Sequence, residues 1–339
     1  MSLGIAPDVM EVTAASALDY RFKCIDFYSK DEILSNAYGL ETGDGGRLIF
    51  NGNGYAGVAE FEQAFMASPG VDPTLVPLRW VENHYRWIVW KLASMDRMKF
   101  GNLLIPRMLT PRHVMEQLKY RYDREIDKSQ RPALRRIIEK DDPPNRRMVL
   151  CVATITKFEN IQTSEKSPNT SPTTHWKVEL TDGWYSITST IDSAMSHLIA
   201  FGKVREGTKL VTCRAELLNC EQGCFPLEIP GDAHLKIHTN STRRAKWDTK
   251  LGYCRYSGPI PTSLSAILTN GGLIGKLSVI IARVYPIQFF EKTCSGQSVF
   301  RNNKCEDKAV MMYEKERQAQ IDAIYAKARV EFEARNRKQ

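Results

Sequence analysis

The chain has 339 residues, 42% hydrophobic and 25% charged, which is the balance of a water-soluble globular protein and excludes disorder along its whole length. At roughly 100 to 200 residues per domain, this length corresponds to two or three domains. Lys and Arg outnumber Asp and Glu by 47 to 39, a net +8 that points to a polyanionic partner without identifying it.

No run approaches the roughly 18 to 20 apolar residues that a bilayer span needs. The first thirty residues carry Asp8, Glu11, Asp19, Arg21, Lys23 and Asp26 and have no apolar signal-peptide core. The eight cysteines are thinly spread and read as free thiols of a reducing compartment. Charge is uneven: residues 1–78 hold 4 basic and 11 acidic side chains, whereas residues 79–147 hold 17 and 9. An acidic head before a basic middle is either one domain balancing itself or a docking face for a polyanion.

In chain order, the first 78 residues read as a loose, partly extended segment containing the glycine- and asparagine-rich run Gly43–Gly57. A helix is predicted from Arg79 to Phe100, because Val81, Tyr85, Ile88, Leu92 and Met95 repeat at helical spacing. Trp80, Trp87 and Trp90 occupy its other faces, so it is buried on more than one side, in the core or at a protein interface. Thr110-Pro111 is an N-cap with proline at the first helical position, and Val114, Leu118, Tyr122 and Ile126 carry that second helix to about Ser129. Asp123, Glu125 and Asp127 among Arg121, Arg124 and Lys128 read as its solvated, salt-bridged face. A third helix runs from Pro132 to the Asp141-Asp142-Pro143-Pro144 stop.

After Pro144 the apolar period falls to about two, predicting strands at Met148–Thr156, Trp176–Thr190, Thr208–Leu217, Leu235–Thr239 and Leu277–Pro286. Thr181-Asp182-Gly183-Trp184 is a tight turn, Asn160–Thr174 a polar loop and Ser193–Phe201 one short helix. Five strands with one interposed helix suit a Greek-key OB-fold barrel, with a sandwich as the alternative. From Lys304 a charged helix carries one stripe, Ile321, Ile324, Tyr325, Ala328 and Phe332, that wants a partner helix.

Cys220-x3-Cys224 before His234-x3-His238 invites a zinc reading, but a strand separates those histidines by about 13 Å at roughly 3.3 Å per residue, too far for one ion. No P-loop, G-x-S-x-G or H-E-x-x-H motif occurs. Arg243, Arg244, Lys246, Trp247 and Lys250, followed by Tyr253, Arg255 and Tyr256, mix phosphate-pairing cations with stacking rings, as single-strand binders do. A basic hairpin with core aromatics is the competing reading.

Several long strings identify a relative: W-V-E-N-H-Y-R-W-I-V-W-K-L (80–92), L-K-Y-R-Y-D-R-E-I-D-K-S (118–129), V-E-L-T-D-G-W-Y (178–185), T-N-S-T-R-R-A-K-W-D-T-K-L-G (239–252) and V-Y-P-I-Q-F-F-E-K-T (284–293). Over roughly Val71–Asn303 they resemble the C-terminal region of the breast cancer type 2 susceptibility protein family. The resemblance implies an α+β multidomain chain: a partly irregular N-terminal segment (1–70), a helical domain (71–145), an OB-fold (146–273), opening strands of a second OB-fold (274–303) and the start of a tower helix (304–339), cut before its partner helix returns.

It also implies a nuclear role in homologous recombination rather than an enzyme, with no cofactor and no metal. Family members load a RecA-type recombinase onto single-stranded DNA alongside a small acidic companion protein of the split hand/foot deletion family. The chain has neither the completed second OB-fold nor a third, and it lacks the recombinase-binding repeats, so its own DNA binding is expected to be weak. Trp80, Trp87, Lys91, Lys119, Arg121 and Arg124 match helical-domain positions and are the expected companion-binding residues. Two rivals stand: a protein-docking module that touches no DNA, and an OB-fold enzyme.

Overall fold

The structure, a computed structural model, describes residues 7–36, 38–98, 106–159, 174–256, 258–292 and 296–336. The polar loop predicted at Asn160–Thr174 and Cys294 lie outside the described residues, apart from Thr174. The chain divides into two units, Met1–Ser278 and Val279–Gln339.

The first unit opens with α1 (Pro7–Met10), β1 (Phe22–Lys23) and α2 (Lys30–Ser35), whose Ser29–Glu32 capping box satisfies its first turn. β2 (Leu40–Gly43) and β3 (Gly46–Leu48) form a hairpin across Asp44-Gly45, where both residues take the positive φ that a two-residue turn demands. β4 (Tyr55–Ala56) pairs with β1, and α3 (Val58–Met66) follows. The predicted long helix is α4 (Trp80–Arg97) and the second is α5 (Pro111–Tyr122), where the Thr110 hydroxyl accepts from His113 N at 3.2 Å. A π-helical turn, Asp123–Asp127, extends α5.

The N-terminal segment is not the loose piece its sequence implied. Val9, Val12, Ala17, Phe22, Leu48, Ala56, Phe61 and Phe65 share one core with Trp80, Tyr85, Ile88, Leu92, Val114 and Met115. Each short piece contributes at most three buried residues, so no long periodic signal betrays the core they jointly build.

A second core belongs to the barrel. α6 (Ala133–Ile138) sits in it through Leu134, Ile137 and Ile138, so the third predicted helix packs with the sheet. The strands are β5 (Met148–Glu159), β6 (Thr174–Thr181) and β7 (Ser186–Thr190). After α7 (Ser193–Ala200) come β8 (Lys209–Thr212), β9 (Glu216–Leu218), β10 (His234–Lys236), β11 (Thr242–Arg244) and β12 (Gly252–Tyr253). The order is β11-β8-β5-β6-β7-β10-β9, with β12 also on β5; β7 and β10 run parallel and the remaining pairs antiparallel. Three residues, with Arg214 at φ 58, lead from β8 to β9, so the chain itself links the two ends of the sheet and curls it. This is the OB-fold topology with its helix between the third and fourth strands. β13 (Pro261–Thr262) and β14 (Lys276–Leu277) pair beside it.

In the second unit, β15 (Gln288–Lys292) and β16 (Ser298–Asn302) form a hairpin before α8 (Asn303–Asn336), a helix of 34 residues. Ile324, Tyr325 and Phe332 of its predicted stripe are exposed. The strand predicted at Leu277–Pro286 is corrected: only Leu277 is in a strand, and Val279, Ile280, Ile281, Val284 and Tyr285 are exposed. A strand exists by pairing, and among the described residues nothing pairs with this run.

Candidate nucleic-acid interface

The basic and aromatic strip grows out of β11. Its register, Thr242 to Thr212, Arg243 to Val211 and Arg244 to Leu210, anchors it to the barrel, and the Thr212 and Thr242 hydroxyls meet at 2.9 Å. Beneath it, buried Asn240 donates to Leu268 O and Gly272 O, both at 3.0 Å, while its Oδ1 accepts from Leu268 N at 2.9 Å. Ser241 Oγ donates to Leu273 O at 2.5 Å. On this base Arg244, Lys246, Trp247 and Lys250 stand exposed, and Asp248 is the one acid among them. Trp247 keeps 67% of its surface.

Arg243 is half-buried and donates to Thr242 O at 2.9 Å and Thr262 Oγ1 at 3.0 Å. Among the described residues, no carboxylate lies within ion-pair distance of Arg243, Arg244, Lys246 or Lys250. Their charges are therefore available to an anion. Tyr253 is different: the Arg146 guanidinium lies 4.2 Å from its ring centroid, which makes it a packing residue.

Three residues expected to bind a companion protein need correction. Trp80 and Trp87 are 0% and 1% exposed and Arg121 4%, so none presents a surface. Trp87 Nε1 donates to Asn83 Oδ1 within its own helix at 3.0 Å. Trp80 and Arg121 belong to a buried junction between the helical core and the barrel. Lys91, Lys119 and Arg124 stay accessible in part, donating respectively to Gln117 Oε1, to Pro69 O, and to Tyr120 OH and Gln130 Oε1.

The junction centres on Glu125, which the sequence placed on a solvated face. Its Oε2 accepts from Trp80 Nε1 at 3.0 Å; its Oε1 accepts from Arg135 Nη1 and Tyr185 OH, both at 2.8 Å. Burial works against its charge, but His84, Arg135 and Tyr185 outweigh it and hold the carboxyl at about 2. Arg121 Nη1 lies 2.8 Å from His84 Nδ1; a guanidinium only donates, so Nδ1 accepts and the proton sits on Nε2, 3.3 Å from Glu125 Oε2. Burial lowers His84 to about 4 and keeps it neutral. Asp182, in the β6–β7 turn as predicted, accepts from Leu134 N at 2.8 Å, Trp184 N at 2.9 Å and Tyr185 N at 3.0 Å. A bidentate Arg86–Glu179 pair at 3.1 and 3.0 Å adds a second tie from α4 to β6.

One signal could have revealed this junction. Leu118, Tyr122 and Glu125 are spaced i, i+4, i+7, so Glu125 continues the buried stripe of α5, and the π turn carries it inward. The charged neighbours Asp123, Arg124, Asp127 and Lys128 mask that face in the sequence.

Cys220 Sγ and Cys224 Sγ lie 4.0 Å apart, but His234 Nδ1 is 2.8 Å from Asp232 O and His238 Nε2 3.6 Å from Glu216, so the four do not converge. Among the described residues, no three His, Cys, Asp or Glu side chains are placed to hold a metal, and no helix is long and apolar enough to cross a membrane.

A helical module tied by a buried polar junction to an OB-fold barrel, with a tower region beyond, defines a multidomain OB-fold protein with an open basic and aromatic strip. Comparison with known families matches three domain models in order: "BRCA2, helical" over residues 1–129, "BRCA2, oligonucleotide/oligosaccharide-binding, domain 1" over 132–255, and "Tower" over 290–331. Two Arabidopsis thaliana proteins, Protein BREAST CANCER SUSCEPTIBILITY 2 homolog A and homolog B, are each 35% identical across 78% of this chain. The chain belongs to the BRCA2 family across these domains, and it spans about a quarter of each relative, 23% of its length.

Proposed function

We propose that this chain is part of a nuclear homologous-recombination mediator that works by binding and positioning, not by bond chemistry. Its OB-fold contributes to single-stranded DNA binding, and its helical unit receives a small acidic companion protein of the split hand/foot deletion family. Loading of a RecA-type recombinase would use regions outside this chain. The observation that carries the reading is the exposed Arg244-to-Lys250 strip, whose cations lack carboxylate partners and whose Trp247 ring is free to stack on a base. Phosphate contacts give affinity that falls with salt, and ring stacking favours single strands over duplex.

The test is a fluorescence-anisotropy titration of labelled single-stranded and duplex DNA against the wild-type chain and an Arg244→Glu, Lys246→Glu, Lys250→Glu variant, at several salt concentrations. The variant is expected to bind more weakly, with a salt slope shallower by about 2, at roughly 0.7 per lost phosphate contact. Equal affinity and equal slope would refute the DNA role. The docking-module reading draws on Lys91, Lys119 and Arg124, which are accessible and have no carboxylate partner among the described residues. It predicts that changing these three to Glu abolishes companion capture in co-expression while leaving DNA affinity intact.

A further inference from the structure

A cavity of about 280 Å³ opens between α7, β8 and β11. Met195, Leu198, Val204 and Leu210 make its apolar lining, and Lys203, Arg243 and Arg244 bring three positive charges to it. No carboxylate lies within ion-pair distance of these cations among the described residues. The two acids nearest in the chain to this lining are both engaged elsewhere: Glu206 Oε1 accepts from Ile155 N at 3.1 Å, and Asp192 accepts from Met195 N at 2.8 Å, Thr239 N at 2.7 Å and Thr239 Oγ1 at 2.5 Å, capping α7 and fastening the loop before β11. Arg243 is fixed by neutral oxygens only, so no carboxylate among its hydrogen-bond partners offsets its charge in a half-buried place where electrostatic interactions are stronger than in open water.

We propose that this cavity is a nucleotide pocket: one phosphate of single-stranded DNA pairs with Lys203 and Arg244, and the attached base lies on half-buried Leu198, above Met195 and Val204, which form the buried floor. Three uncompensated cations beside an apolar lining select an anion that carries a flat apolar group. A bare phosphate leaves the lining wet. A polymer of phosphates and rings also explains why the same β11 residues run on through Ala245 into Lys246 and Trp247: successive nucleotides occupy the pocket and then the strip. The proposal rests on the single-strand reading above and adds Lys203 and α7 to it.

The test uses the full chain with [13C]methyl-methionine, following the assigned Met195 methyl by NMR, together with anisotropy titrations of labelled oligo-dT. Oligo-dT is expected to shift the Met195 methyl and inorganic phosphate is not. Exposed Lys203→Glu is expected to weaken oligo-dT binding about tenfold, as loss of one charge-assisted contact does, and to remove the methyl shift. Trp247→Ala is expected to weaken binding but keep the shift.

If Lys203→Glu binds like wild type and the methyl does not move while Trp247→Ala still loses affinity, the pocket is refuted and the strip reading stands. A shift reproduced by inorganic phosphate, or by oligo-glutamate in place of oligo-dT, overturns the nucleotide assignment in favour of a simple anion or peptide site. A wild-type chain that binds no oligo-dT overturns both readings.

Discussion

Glu125 shows how much one side chain can hold. Its two oxygens take hydrogen bonds from Trp80, Arg135 and Tyr185, drawing α4, α6 and the β6–β7 hairpin to one point. Removing one partner of a buried ion pair leaves the other charge uncompensated, so Glu125→Gln is expected to cost about 3–5 kcal/mol, read as a fall in the urea midpoint. A midpoint unchanged from wild type would mean that the junction carries no stability.

The same residues set the acid limit. Glu125 titrates at about 2 against an ordinary 4.5, and His84 at about 4 against 6.5. In both windows the unfolded chain binds the proton that the folded chain refuses, so stability rises with pH and is lost as pH falls. The loss is expected first between pH 6.5 and 4 from His84, then between 4.5 and 2 from Glu125. His84→Gln should flatten the upper window when denaturant midpoints are measured across pH, and an unaltered slope there would contradict the assignment.

At the scale of elements, β11 depends on the turn behind it. Gly272 has φ +68, and a Cβ there would run into the His238 ring, while Asn240 is fastened to both Gly271 and Gly272. Gly272→Ala is therefore strained by conformation and by contact, at about 1–3 kcal/mol. It should lower the melting temperature and weaken oligo-dT binding together, since the base of the strip moves. A variant that melts with wild type would show that the turn yields freely.

Elements with a regular apolar period were legible beforehand: α4, α5, β5 to β10 and α7 fall within or beside the runs that spacing marked, whereas β11 and β12 lie outside them. Two kinds were not. The short pieces before Val71 join a core that only tertiary contact creates, and the β-branched run after Leu277 has high strand propensity but no paired neighbour among the described residues. Propensity proposes a strand, and pairing decides it.

Across the whole molecule, the candidate site was legible as chemistry but not as geometry. The cations and ring of the strip stood out in the sequence, whereas burial withdrew Trp80, Trp87 and Arg121, because helical spacing does not distinguish a face buried in the chain's own core from one kept for a partner. Of the six tryptophans, Trp247 is the exposed one, and the other five are buried or half-buried. Quenching of intrinsic fluorescence by single-stranded DNA should therefore come mostly from that ring and largely vanish in Trp247→Phe; quenching that persists at full amplitude would place the DNA elsewhere.

The most direct measurement is hydrogen–deuterium exchange of the full chain with and without oligo-dT. Slowed exchange of the amides from Thr242 to Lys250, with those of α4 and α5 unchanged, is the predicted result. Protection confined to the helical unit, or none anywhere, would contradict an OB-fold that grips single strands through its basic strip.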